Sequence, residues 1–241
     1  MQYFSLNNNT KEVGFEKAVR SGLAPDRGLY YPQQINQLKD SFWDNFLSMS
    51  HNEIALAAIE QFVGDEIPKQ ELQKIIEDTL TFPFPVVEFN ENLATLELFH
   101  GPTMAFKDVG GRFMARCLGY FNRTSTEKVT VLVATSGDTG GAVASGFLGV
   151  PGVEVVILYP KGKVSHIQEL QLTTQGQNIT SLEVDGVFDD CQEMVKTAFL
   201  DETLKPHRNL TSANSINVAR WLPQSFYYFF AVQKLMKKKV N

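Results

Sequence analysis

The sequence predicts an α/β fold, with a parallel sheet and covering helices, preceded by a small, mostly helical amino-terminal domain. Before residue 80, the segments 54–59 and 72–76 repeat apolar side chains at helical spacing. After residue 85, short apolar runs alternate with longer helical segments, which is typical of parallel strands joined by crossover helices. Prolines at 83 and 85 interrupt the helical pattern. We therefore predict a helical domain at 1–85 and an α/β domain at 86–241.

Within the second part, the apolar runs and the segments between them predict the individual elements. Ser165 and Asp189 are the expected N-caps, because short oxygen-bearing side chains accept from free N–H groups in a first helical turn. The predicted strands are 93–99, 129–134, 153–159 and 179–184, and the predicted helices are 106–121, 139–148, 165–175, 189–200 and 217–237.

Composition narrows the functional classes. The 241 residues are 43% hydrophobic, enough for a sizeable core, and a net charge of -5 argues against a general binder of nucleic acid or acidic membranes. Cys117 and Cys191 lack the spacing of a metal or redox pair, so we interpret them as reduced core thiols and expect no metal site. Without a targeting segment or a membrane-length apolar run, the sequence predicts a cytoplasmic protein.

The first junction that suggests chemistry lies at 99–108, where Gly101 and Pro102 turn the chain and Thr103 is a potential helix cap. Lys107 falls in the first turn of the helix that follows. The positive end of the helix dipole and partial burial both disfavour an ammonium ion there. A neutral lysine amine forms an imine with an aldehyde cofactor. The alternative from spacing alone is a surface lysine at a helix start.

The second junction, 131–141, is an apolar strand that runs into a loop of small polar residues and glycines. Ser136 and Thr139 offer hydroxyl groups, Gly137 permits close approach of a ligand, and amides at the following helix start favour an anion. A glycine-lined turn that lets the helix pack on the sheet is the alternative. The spacing fits neither a dinucleotide nor a nucleoside triphosphate loop.

Two further loops are rich in polar groups. The loop at 159–166 follows one strand and offers two cations, Lys161 and Lys163, beside a helix start, which would suit a phosphate, whereas the loop at 211–217 offers amide and hydroxyl groups. Taken alone, the residue types of each loop favour an ordinary solvated connection, because lysines and asparagines are common in such loops.

Four segments, in this order along the chain, resemble threonine synthases: HGPTMAFKD at 100–108, ATSGDTGG at 134–141, LYPKGKVS at 158–165 and NSINVARWLPQ at 214–224. The segment GLAPDRGLYYP at 22–32 is similar to an amino-terminal loop of the same family, except that Arg27 stands where glycine is expected. The resemblance covers essentially the whole chain.

This resemblance implies a pyridoxal 5'-phosphate (PLP) enzyme of fold type II, a lyase that converts O-phosphohomoserine and water into threonine and phosphate. It implies that Lys107 is the Schiff-base lysine and the proton-transfer base. Ser136, Gly137, Asp138 and Thr139 would then bind the substrate carboxylate, with Asp138 also at the edge of the cofactor. The role of Asp138 stays open, since its carboxylate would repel the phenolic oxygen of the cofactor unless one of them is protonated. Candidates for binding the departing phosphate are Lys163, Ser165, Asn214 and Ser215.

Similar enzymes continue beyond position 241 into a loop that wraps the cofactor phosphate, so we expect a truncated chain that binds PLP weakly and turns over slowly. Two alternatives remain open: a related phospho-lyase that yields a keto acid, and a catalytically silent binding or interaction fragment. The oligomeric state is unknown from the sequence.

Overall fold

The computed structural model describes residues 1–204 and 207–240. The amino-terminal segment is mostly helical, as predicted, but it also contains two short antiparallel strands in which Phe4 pairs with Tyr31. Its elements are β1 (Tyr3–Ser5), α1 (Phe15–Ser21), β2 (Tyr30–Pro32), α2 (Asp40–Asn45), α3 (His51–Val63) and α4 (Lys69–Thr79).

Side chains accept hydrogen bonds from free N–H groups at the starts of α1 and α3. Ser50 and Glu53 form a capping box at the start of α3, in which the Ser50 N–H donates to Glu53 at 2.7 Å. Glu66 accepts from the free N–H groups of Phe15 and Glu16 at the start of α1, at 2.6 and 2.7 Å. These contacts satisfy donors that helical geometry leaves free.

Residue 27, where the family resemblance leads us to expect glycine, has a backbone conformation that favours glycine. Arg27 has φ of 66°, a left-handed conformation that L-residues other than glycine rarely adopt. The turn around it is held by Asp26, which accepts from Ser5 Oγ at 2.6 Å and from the Gly28 N–H at 2.9 Å. The hydrogen bond from Ser5 is the largest cause of a lowered pKa of Asp26.

We expect Arg27→Gly to increase the free energy of unfolding by about 0.5–1 kcal/mol, because glycine adopts this conformation without the steric cost. Urea denaturation measures the change. Asn8 is the matched control: it has φ of 55°, but asparagine tolerates the left-handed region, so Asn8→Gly should stabilise less. A lower midpoint for Arg27→Gly would contradict the strain.

The second part contains a four-stranded parallel sheet with covering helices. The strand order is β7-β6-β5-β8. The elements are β3 (Val86–Asn90), β4 (Leu93–Leu96), α5 (Lys107–Asn122), β5 (Val129–Ala134), α6 (Asp138–Phe147), β6 (Val153–Pro160), α7 (His166–Thr173), β7 (Ile179–Val184), α8 (Phe188–Leu200), β8 (Asn209–Ser212), α9 (Val218–Trp221) and α10 (Phe226–Val240).

Two predicted elements differ from the structure, and one edge strand of the parallel sheet was not predicted. The strand predicted at 93–99 is shorter and does not join the parallel sheet; it pairs with β3 as an antiparallel hairpin. The edge strand β8 was not predicted, because its four residues carry no apolar run. The single helix predicted at 217–237 is divided into α9, a short 3-10 segment containing Pro223, and α10, since proline removes a helical N–H donor.

The two predicted N-caps have different outcomes. Ser165 is the N-cap of α7 and accepts from the Gln168 N–H at 3.3 Å, as predicted. The N-cap predicted at Asp189 is wrong. The N-cap position is Val187, whose N–H donates to the Asp190 carboxylate at 2.8 Å.

Apolar side chains from both halves of the chain form one core. It joins Phe15 of α1 and Ile54 of α3 to Phe113 of α5, Val131 of β5 and Phe226 of α10. At the sheet edge, Thr211 Oγ1 donates to the Arg20 carbonyl at 2.6 Å, which satisfies an acceptor at the carboxyl end of α1. The amino-terminal segment is therefore packed directly against β8.

Candidate active site

Three of the four loops that the sequence singled out lie at one edge of the parallel sheet, whereas the fourth, 99–108, follows β4, which is not part of that sheet. Strands β5, β6 and β8 are parallel, so the loops 135–137, 161–165 and 213–217 all leave their carboxyl ends. In open α/β sheets, this is the edge at which ligands bind.

Lys107 is the first residue of α5, as the sequence predicted, and the turn before it is tightly held. The Met104 N–H donates to the Gly101 carbonyl at 3.0 Å. The predicted Thr103 cap is wrong: the N-cap is Phe106, and Thr103 donates through N–H and Oγ1 to the buried Asp108 at 3.0 and 2.5 Å. Thr103 lies three residues before the N-cap position, and its two hydrogen bonds to Asp108 hold the loop instead.

Two largely buried polar side chains, Tyr227 and Arg220, form a polar layer next to the start of α5. Tyr227 donates its hydroxyl to the Phe106 carbonyl, and Arg220 Nη1 donates to the Ala213 carbonyl at 2.6 Å. Arg220 is fully buried, which lowers the pKa of its guanidinium to about 10 and leaves it charged at neutral pH. Its Nε and Nη2 have no hydrogen-bond partner among the described residues. This layer connects the lysine helix to the 213–217 loop.

The loop before α6 is organised around Thr135. Its Oγ1 accepts from the N–H groups of Gly137 and Gly140 at 3.0 and 2.8 Å, and Gly137 has φ of 136°. In the described chain, the N–H groups of Asp138 and Thr139 at the start of α6 have no protein acceptor. Free amides at a helix start favour an anion.

The two junctions meet at Lys107 and Asp138. The distance between Lys107 Nζ and Asp138 Oδ2 is 3.7 Å, and Nζ lies 5.7 Å from the centre of the Phe106 ring. The lysine side chain is 22% exposed and the aspartate side chain 58% exposed. The amine is therefore largely sheltered but still open to a ligand that enters at the sheet edge.

The structure brings some of the remaining predicted residues next to this pair and leaves others without a contact to it. Ser136 and Thr139 flank Asp138 in the same loop, and Ser165 reaches Asp138 through one intervening side chain, Gln168. Lys163 is exposed two residues before Ser165. Asn214 and Ser215 are exposed after β8 and contact each other at 3.4 Å. Within the described chain, Lys163, Asn214 and Ser215 form no hydrogen bond or ion pair with Lys107 or Asp138.

Sequence reasoning missed Gln168 and Arg220. Gln168 had a detectable signal, since Ser165-x-x-Gln168 is the pattern of a capping box. Arg220 had none, because a single arginine in a helical segment is usually solvated and only the fold shows that this one is buried.

Two further features were sought in residues 1–204 and 207–240: a metal cluster and a membrane-spanning helix. No group of three or more His, Cys, Asp or Glu side chains is arranged to hold a metal ion. No helix in that part has both the length and the apolar character needed to cross a bilayer.

Comparison with known proteins identifies the architecture. A family model for the threonine synthase N terminus matches residues 2–80. Threonine synthase from Escherichia coli (strain K12) is 44% identical over 241 residues, which are 100% of this chain and 56% of that protein. The chain therefore spans about half the length of the curated relatives it matches.

Solved structures of threonine synthases show the same similarity. A PLP-bound threonine synthase from Brucella melitensis superposes with a TM-score of 0.91 at 40% identity, covering 98% of this chain and 52% of that one. Threonine synthase from yeast gives a TM-score of 0.89 at 37% identity, covering 97% and 50%. The predicted fold class, a parallel sheet with covering helices after a largely helical segment, is confirmed. Over essentially its full length, the chain is similar to the amino-terminal portion of threonine synthases.

Proposed function

We propose that this chain carries the lysine half of a threonine synthase active site, which converts O-phosphohomoserine and water into threonine and phosphate with PLP. The proposal rests on the position of Lys107, a largely buried side chain at the start of α5. Its Nζ lies 3.7 Å from Asp138 Oδ2 at the carboxyl edge of the sheet. The similarity of all 241 residues of this chain to threonine synthase supports the same assignment.

The donor set fits the cofactor and an amino-acid substrate. Lys107 supplies a primary amine for an aldehyde group, and the free amides of Asp138 and Thr139 suit a carboxylate. When bound, PLP withdraws electrons from the substrate carbon that carries the amino group. Lys107 Nζ then holds and returns the protons removed from the substrate, for which its position at the sheet edge is suited.

The other candidate residues bind and orient the substrate. Ser136, Gly137, Asp138 and Thr139 form the loop that receives the substrate carboxylate, with Asp138 also at the cofactor edge. Lys163, Ser165, Asn214 and Ser215 lie on the two neighbouring loops and are proposed to bind the departing phosphate. We also propose the domain division at residue 85 and a cytoplasmic location, the latter in keeping with the free, buried thiols of Cys117 and Cys191.

A chimera tests the function. This chain is joined to the part of the Escherichia coli threonine synthase that follows the matched region, and the purified protein is supplied with PLP and O-phosphohomoserine. We expect equimolar threonine and phosphate. Phosphate with a keto acid would favour the phospho-lyase alternative. A folded chimera that releases neither product would contradict the proposal and favour a silent binding fragment.

A further inference from the structure

Two buried side chains attach the loop after β8 to the amino-terminal segment. Thr211 Oγ1 donates to the Arg20 carbonyl at 2.6 Å, and Asn217 Nδ2 donates to the Val19 carbonyl at 2.8 Å. Thr211 is 2% exposed and Asn217 is fully buried. Both carbonyls belong to the last turn of α1, where helical geometry leaves such acceptors without an intrahelical partner.

The two attachments close the base of the loop. Thr211 and Asn217 lie at opposite ends of the 212–216 stretch, yet they bind consecutive carbonyls of α1. Because neighbouring Cα atoms are only about 3.8 Å apart, the chain between them must leave the sheet and return within a short span. Arg220 adds a third contact to the same loop, by donating to the Ala213 carbonyl at 2.6 Å.

The exposed part of the loop carries two of the groups proposed to bind phosphate. Asn214 and Ser215 are exposed, whereas Ala213 and Asn217 on either side of them are buried. Asn217 is also the N-cap of α9 and accepts from the Ala219 N–H at 3.0 Å. The buried ends of the loop therefore determine where Asn214 and Ser215 lie.

Helix α1 is itself held firmly in the amino-terminal segment. At its start, Glu66 accepts from the N–H groups of Phe15 and Glu16 at 2.6 and 2.7 Å. The side chains of Phe15 and Ala18 are fully buried in the core. The helix thus connects the core of the amino-terminal segment to the base of the 213–217 loop.

We propose that the amino-terminal segment takes part in the candidate active site by positioning the 213–217 loop, with Thr211 and Asn217 as the positioning residues. They act through Asn214 and Ser215, which would bind the phosphate of the substrate. A loop that is ordered in advance binds an anion at a lower entropic cost. The role toward phosphate rests on the proposed function, whereas the attachment of the loop to α1 is a property of the chain itself.

Amide hydrogen exchange tests the attachment in the 241-residue chain without cofactor or substrate. Thr211→Val removes the hydroxyl at nearly constant shape, and Asn217→Ser keeps an N-cap oxygen but is too short to reach Val19. We expect each variant to raise the exchange rate of the 213–217 amides about fivefold, the effect of losing one hydrogen bond. Thr211→Ser retains the hydroxyl and should exchange as the wild type does.

Thr79→Val is the matched control for these variants. The Thr79 side chain is fully buried and donates to the Ile75 carbonyl at 2.7 Å within α4, so the same kind of hydrogen bond is lost away from the loop. Exchange in 213–217 should stay near wild type. Unchanged exchange in both Thr211→Val and Asn217→Ser, or an equal increase in Thr79→Val, would overturn the attachment.

The chimera with the remainder of the Escherichia coli enzyme tests the consequence for the site. We expect Thr211→Val and Asn217→Ser to raise KM for O-phosphohomoserine about fivefold while kcat changes less than twofold, because the loop binds substrate without reacting. A merely structural role would reduce the amount of folded enzyme, and hence the apparent kcat, at constant KM. Thr211→Ser should restore the wild-type KM.

The two measurements distinguish this proposal from the proposed function. A chimera that makes no threonine would reject the function and the role of the loop toward phosphate, while the exchange rates still decide whether α1 holds the loop. An active chimera in which both variants keep the wild-type KM would overturn the positioning role and leave the reaction intact.

Discussion

Replacing Lys107 with alanine is expected to lower kcat of the chimera by about 10³-fold or more, because the substitution removes both the covalent attachment point and the proton-transferring amine. The fold should survive, since the lysine side chain makes a single ion pair among the described residues and lies at a helix start. Far-UV circular dichroism and urea denaturation check the fold, and product analysis gives the rate.

Two matched variants sharpen this result. Lys107→Arg retains a cation beside Asp138 but offers no amine for an imine, so it should be as inactive as alanine. Lys163→Ala removes a cation from the proposed phosphate loop and should mainly raise KM. Activity in Lys107→Arg within tenfold of wild type would exclude covalent catalysis by this residue.

Replacing Gly110 with alanine is expected to lower the free energy of unfolding by about 3 kcal/mol, at the upper end of the usual cost of overpacking. Gly110 lies one turn after Lys107, where α5 and α9 approach so closely that a Cβ would overlap the carbonyl oxygen of Arg220. Backbone atoms cannot rotate away, so the helices must separate. The same movement would displace Arg220 from the Ala213 carbonyl.

Gly119→Ala provides the control on the same helix. There a Cβ would meet only the Val150 side chain, at 2.9 Å, which has room to adjust more easily than backbone. Because alanine also favours the helix by about 1 kcal/mol, the net effect should be small. Similar denaturation midpoints for Gly110→Ala and Gly119→Ala would contradict the close contact between α5 and α9.

Local pattern was sufficient for the elements that are regular and strongly apolar. The strands at 129–134 and 179–184 have the predicted bounds, and α5 begins within one residue of its predicted start. Their apolar runs are long enough to fix the type of structure. The short edge strand β8 could not be predicted from local pattern, because it has no apolar run and its pairing with β5 depends on residues distant in the chain.

The candidate site shows the same division. The residue types permit an imine at Lys107 and an anion at the 136–139 loop, and only the resemblance to threonine synthases assigns them those roles. The distance that joins Lys107 to Asp138 depends on how α5 packs against α6, and the sequence alone does not determine it. Gln168 acquires its second partner, Asp138, thirty positions away, only in the folded chain.

Borohydride reduction followed by peptide mapping tests the central claim most directly. The 241-residue chain is mixed with excess PLP, reduced, digested and analysed by mass spectrometry for pyridoxyl-lysine. We expect the modification to be concentrated on the peptide containing Lys107, and to disappear from it in Lys107→Ala. Reduced cofactor spread over exposed lysines such as Lys163 and Lys196, with Lys107 unmodified, would contradict the assignment of this lysine to the cofactor.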